Sequence, residues 1–421
     1  MQYLLKLSCF LLILCVSLFS LSGCQTTPLE QGSSVPSSKP LPQASSSAAG
    51  LPAQSEPEPA TADSIFLKGK EQEVLSVEEA WGDGCPVLYL DNFLKKYHFI
   101  GDAPIRDNGD LPVVSPEKRP TLLLYNVLTG IETPILQAEE GSAFGYSGGD
   151  DRYLIAYQYD AASPMMYTTP TSFVIYDTLQ EEETVILDLT VYQSDDTGKQ
   201  YLYPLVSLYD GAMYFELQDR AMEQDADGFI SDYGLSTYRY LFETGELEKI
   251  RERAASPVMT AEGLYFMDKS SDLEGGSVYF QENGQEEAVE LIPNCNEFVY
   301  SKPESFFTKD TDGFQSVFSF SREQEKELFS LNDLNKGWNY LCNGRMLCWS
   351  RTGSPLYVYD MRLQKVVQVS DAAGARTGVP SAKYLYWNEI TDESAPKGEE
   401  PNRLCVMDIS SLMIGGPHTK A

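Results

Sequence analysis

Two stretches of this 421-residue chain place side chains at spacings that chemistry can use. The first is Glu223-x-Asp225-x-Asp227-Gly228, with acidic residues at alternate positions and then a glycine. Carboxylates so spaced converge on a hard cation, and glycine permits the sharp turn that brings them together. Glu223, Asp225 and Asp227 are therefore candidate calcium ligands. Gly234 stands where such a loop would carry its bidentate glutamate, so a solvated acidic loop is the competing reading. The shorter Asp310-x-Asp312-Gly313 reads as a hairpin turn. The second stretch, Gly145-x-Ser147-x-Gly149, has the spacing of a serine nucleophile on a strand-to-helix elbow. Here Asp150-Asp151-Arg152 leads instead into Tyr153-Leu154-Ile155-Ala156-Tyr157, which reads as a strand. The chain has two histidines, His98 in a β-like run and His418 near the C-terminus. No catalytic residue is assigned.

Composition narrows the partners. Asp and Glu number 62 against 31 Lys and Arg, for a formal charge of −31. Phosphate neutralisation needs clustered basic residues, so nucleic acid is disfavoured, as is electrostatic docking on anionic lipid. Calcium is the only candidate cofactor, and no nucleotide or metalloprotease motif appears. The 26 tyrosines could stack on sugars or peptides, but aromatics more commonly fill strands.

The N-terminus carries an address. After Lys6, an apolar run extends from Cys9 to Leu21, short of the roughly 20 residues a membrane span needs. It ends in Leu21-Ser22-Gly23-Cys24, which resembles the bacterial lipobox. The resemblance implies cleavage before Cys24, diacylation of its sulfur and a stable membrane anchor, since two acyl chains hold where one does not. Cleavage would remove Lys6 and take the formal charge from −31 to −32. From Gln25 to about Asp63, Ser, Pro, Ala, Gln and Glu dominate, a composition unable to bury a core. It reads as a disordered tether. Five cysteines then remain: Cys85, Cys295, Cys342, Cys348 and Cys405. Their odd number and irregular spacing speak for free, buried thiols. A two-residue turn at Asn343-Gly344 would set Cys342 opposite Arg345 and Cys348 opposite Asn339, out of register for a bridge.

The elements that carry these residues are strands. A run of the form apolar-x-apolar-Tyr-Asp/Asn recurs, as in Leu122–Asn126, Phe173–Asp177, Leu356–Asp360 and Leu404–Asp408. With Tyr238–Tyr240, Ser277–Phe280 and Ser316–Phe318, the Tyr positions are 125, 176, 240, 279, 318, 359 and 407. Three of the spacings, 39, 39 and 41, match the length of a four-stranded blade. Gly130, Gly245 and Gly284 mark a turn after this strand, and Asp210–Phe215, Glu262–Phe266 and Asn343–Leu347 mark a turn and strand before it. The expected fold is all-β, a propeller of seven four-stranded antiparallel blades. The last repeat lacks a fourth strand, and residues 64–76 are expected to donate one and close the ring. The chain thus divides into a leader (1–23), Cys24 and tether (24–63), propeller (64–412) and tail (413–421).

The Gly-x-x-Tyr-Phe strand at Gly211–Phe215 and the Tyr-Val-Tyr-Asp strand at Tyr357–Asp360 resemble those of lipid-anchored TolB-like and YWTD-like bacterial propellers. The resemblance implies an extracytoplasmic, membrane-anchored scaffold, of Gram-positive type, that binds a protein, wall polymer or ligand through its loops. Residues 101–120, 160–170, 193–201, 219–235 and 391–402 are the long loops. An envelope enzyme degrading polysaccharide in the propeller funnel is the alternative expectation, and a sensor or accessory subunit of a membrane complex is a third.

Overall fold

The computed structural model describes residues 65–66, 73–99, 101–162, 170–188, 205–220, 223–224, 230–268, 275–302, 304–311, 314–321, 324–332, 336–350, 355–372, 376–392, 395 and 400–413. Their strands form seven four-stranded antiparallel meanders, which are the seven blades of a propeller. Blades 1 to 6 span residues 98–137, 142–188, 206–252, 255–295, 298–332 and 338–370. Blade 7 takes three strands from residues 376–408 and its outer strand, Val87–Asp91, from the N-terminal side. First strands of neighbouring blades touch from blade 2 to 4 and from blade 5 to 7, on the inner side of the sheets, while the fourth strands form the rim.

Every recurring Tyr-Asp run is the third strand of its blade. Its residues are apolar on both faces because each sheet is packed on both sides by neighbouring blades. Leu122, Leu123 and Leu124 are all buried, as are Phe173, Val174 and Ile175. The core is accordingly divided among seams. Seven apolar clusters are found among the described residues, each between two adjacent blades. Phe173 meets Phe215 edge-on at 5.1 Å between blades 2 and 3, and Phe329 meets Trp349 at 4.9 Å between blades 5 and 6.

The acid that ends the third strand has a local task. The Oδ1 of Asp360 accepts the amides of Arg362 and Leu363 at 2.9 and 3.0 Å. Asp177 accepts those of Leu179 and Gln180, and Asn126 those of Leu128 and Thr129. Such side-chain caps satisfy turn amides that the ladder leaves unpaired. The other oxygen of each acid binds an arginine from the preceding turn: Arg152 donates to Asp177, and Arg345 to Asp360.

Ring closure differs from the expectation in which strand is donated. The expected segment, 64–76, does not complete blade 7. Phe66 bridges Leu331 on blade 5, and Val74–Ser76 adds a parallel fifth strand to the rim of blade 6. The helix Val77–Trp81 follows, with a capping box between Ser76 and Glu79. Its Trp81 indole donates to buried Asp360 at 2.8 Å. Only then does Val87–Asp91 pair with Asn402–Asp408. The N-terminal segment is thus a strap over blades 5, 6 and 7, and closure needs the strand nearest to blade 1 in sequence.

The Asn343-Gly344 turn is longer than two residues, because the Asn343 side chain caps the amides of Arg345 and Met346. Cys342 therefore faces Leu347, and Cys348 faces Leu341, rather than Arg345 and Asn339. The five cysteines from Cys85 onward are free, and four of them are buried.

Candidate functional site

In a meander, the connections from second to third strand and from one blade to the next emerge on one face. The first-to-second and third-to-fourth turns emerge on the other. The strands that bound the long connections 161–169, 189–205, 219–234 and 391–401 all open toward the first face. These connections are four of the five expected loops. The fifth, 101–120, divides: 115–120 lies on the loop-bearing face, and 101–109 crosses the turn-bearing face.

The connection at 219–234 rests on an ion-pair cluster at blade 3. Asp232 accepts from Arg220 at 2.7 Å and from Arg253 at 2.9 Å. Asp219 accepts from Lys249 at 2.6 Å and from the Tyr238 hydroxyl at 2.6 Å. Burial pushes both carboxyls up, but these bonds outweigh it and hold both below the ordinary carboxylate range. Glu223, a candidate calcium ligand, lies exposed with its carboxylate 3.9 Å from the Arg253 guanidinium. Asp225 and Asp227 lie outside the described residues. Among the described residues, no three His, Cys, Asp or Glu side chains are grouped to hold a metal ion. Leu21, Ser22, Gly23 and Cys24 also lie outside them, as does the tether.

The axis offers a second place to look. Glu297 holds the amides of Asn339 and Tyr340, both at 3.1 Å, so its carboxylate positions the first strand of blade 6. Asp102, in the 101–109 connection, is different. No hydrogen bond to its carboxylate is present among the described residues, and burial raises its pKa. It stands near Tyr386, whose hydroxyl donates to the Ala103 carbonyl at 2.7 Å. Arg106 of the same connection reaches blade 2 at the Asp151 carbonyl, and Lys383 of blade 7 reaches the Asp107 carbonyl. The connection therefore fastens blades 7, 1 and 2 together with Asp102 among them. Burial lowers the pKa of His98.

Ser147 sits inside the first strand of blade 2, and the element after it is the strand Tyr153–Asp160. Its buried hydroxyl has no hydrogen-bond partner among the described residues. A Cβ at Gly145 would stand 2.2 Å from the Tyr157 ring, so this glycine admits an aromatic ring rather than shaping an elbow. Sequence reasoning missed Asp102. It is a single acid in Gly101-Asp102-Ala103-Pro104, with no spacing to mark it.

No protein-family model matches the chain, and no curated protein matches it. Solved structures match at the level of fold. One is from a study of two prolyl endopeptidases, at 14% identity and a TM-score of 0.50, covering 72% of this chain and 49% of that one. This chain thus spans about half the length of that endopeptidase. An oligogalacturonate lyase in complex with manganese matches at 13% identity and 0.48, over 76% of this chain and 90% of the lyase. TolB from Acinetobacter baumannii matches at 16% identity and 0.34, over 59% and 54%. At 14% identity, the endopeptidase match shows a likeness of fold and nothing of its activity.

Proposed function

We propose that this protein is a lipid-anchored, extracytoplasmic binding scaffold that engages a protein or wall polymer through the loop-bearing face of its propeller. The observation that carries this reading is that the strands bounding four long connections open toward one face of a closed ring. Variable loops on a rigid frame are where such folds place recognition. Leu21-Ser22-Gly23-Cys24 after an apolar leader supports the anchor, and a charge of −31 disfavours nucleic acid as the partner. Mass spectrometry of the mature N-terminus should find acylated Cys24, and Cys24→Ala should leave the chain unprocessed or released. Crosslinking on intact cells should capture a partner that is lost when residues 219–234 are replaced by a short Gly-Ser turn. Capture unaffected by replacing each of the four connections in turn would reject the binding face.

One observation favours the enzyme reading: the Asp102 carboxyl, whose pKa burial raises, beside Tyr386. Glycoside hydrolysis takes a pair of carboxyl groups, of which Asp102 would supply one. Release of reducing ends from envelope polysaccharide, abolished by Asp102→Asn, would decide for it.

A further inference from the structure

On the turn-bearing face, between blades 5 and 6, lies a cleft of about 340 Å3. Its size is at the lower end for small-molecule sites. The floor is apolar: half-buried Leu328 and Met361 line it, packed against the cluster that holds the buried Phe306 and Tyr359. The mouth is cationic. Lys326 and Arg362 line it, both exposed, one from the start of the outer strand of blade 5 and one from the last turn of blade 6.

Neither cation is neutralised among the described residues. Lys326 donates to the Gln364 side chain at 2.9 Å and forms no ion pair among the described residues. The Arg362 guanidinium has no partner among them. The third cation in the cleft, Arg345, is committed to Asp360 and to the Leu412 carbonyl. Glu304 supplies one opposing charge. Two unpaired cations over an apolar floor run against the pattern of a chain with twice as many acids as bases. Unpaired positive charge on such a surface concentrates anions locally. The Tyr359 phenol, pushed up to about 12 by burial and then by Glu304 and Asp360, stays protonated and is available as a donor.

We propose that this cleft binds a small amphipathic carboxylate, with its apolar body on Leu328 and Met361 and its carboxylate between Lys326 and Arg362. A guanidinium matches a carboxylate in a planar, two-point contact, and the apolar floor supplies the rest of the affinity. The site lies on the face opposite the long loops, so it stands or falls independently of the binding reading above.

The test is calorimetric titration of the full chain with 3-phenylpropionate, its neutral amide and inorganic phosphate. Saturable binding of 3-phenylpropionate at one site is expected, weakened at least about tenfold for the amide. Arg362→Glu and Lys326→Glu should each abolish it while the melting temperature without ligand is unchanged, since both side chains are exposed. The proposal is overturned by absence of saturable binding at about 10 mM 3-phenylpropionate, a level that would detect even millimolar affinity. It is equally overturned if the amide or phosphate binds as tightly, or if binding survives both charge reversals.

Discussion

The seam between blades 6 and 7 and the seam between blades 3 and 4 solve one packing problem in different ways. Between 6 and 7, Met346, Cys348, Leu356 and Val358 meet Leu385, Trp387 and Cys405, and the strap adds Trp81 and Cys85. Between 3 and 4, the buried apolar cluster is Ala254, Leu264 and Phe266. Polar fastenings make up the difference there. Glu216, fully buried, accepts the amide of Ser256 on blade 4 at 2.6 Å, with Ser256 held at a φ of 50°. Arg251 lies over the Phe266 ring at 4.7 Å. Apolar contact is tolerant of small shifts, whereas a buried hydrogen bond is lost as soon as its geometry is. The seam beside blade 3, which borders the long connections 189–205 and 219–234, is therefore the one that a small shift breaks first.

Truncation should give the largest effect. Deleting residues 1–91 removes the strap and the outer strand of blade 7, and no folded monomer should remain by circular dichroism and sedimentation. Deleting 1–64 should leave the melting temperature unchanged.

Next comes Asp360→Ala. Its carboxylate is fully buried and serves Arg345, Trp81 and two turn amides. Removing it strands a buried guanidinium, at a cost of about 3–5 kcal/mol in denaturant unfolding. Glu216→Ala should cost less, about 1–3 kcal/mol, because it strands neutral amides. Hydrogen exchange should then quicken at Ser256 and not at blades 6 and 7. A uniform increase would mean that the two seams do not open separately.

Asp102→Asn should have the smallest effect and the opposite sign. The folded-state pKa of Asp102 is raised, so deprotonation penalises the native state as pH climbs above the unfolded value of about 4. The variant should be the more stable one at pH 7, and its advantage should vanish below about pH 4. An unchanged stability difference across that range would show that the carboxyl is not responsible.

The sequence made the blades legible because each third strand repeats two physical needs, an apolar run for two seams and an acid for the next turn. Closure was harder to read. Val74–Ser76 and Val87–Asp91 are both short apolar runs, and only pairing distinguishes a rim strand from a closing one. Leu88 and Tyr89 look like core residues in the sequence yet are 39% and 51% exposed. The Trp81–Asp360 bond joins residues 279 apart, and no local pattern announces it. At Asn343-Gly344 the dipeptide signalled a turn correctly, but its side-chain cap set the length. Asp102 owes its character to the blades around it and not to its neighbours in the chain.

The strap also has a mechanical meaning. Tension entering the chain at Ile65 meets the Phe66–Leu331 bridge and then the paired run Val74–Ser76 against Val366–Gln368. Strands pulled along their length slide as a lap joint, in which the bonds are stretched together, and do not peel open one at a time. Behind that joint stand the Trp81 indole and the strand Val87–Asp91. Three fasteners in series thus lie between a tug on the N-terminal segment and the opening of the ring.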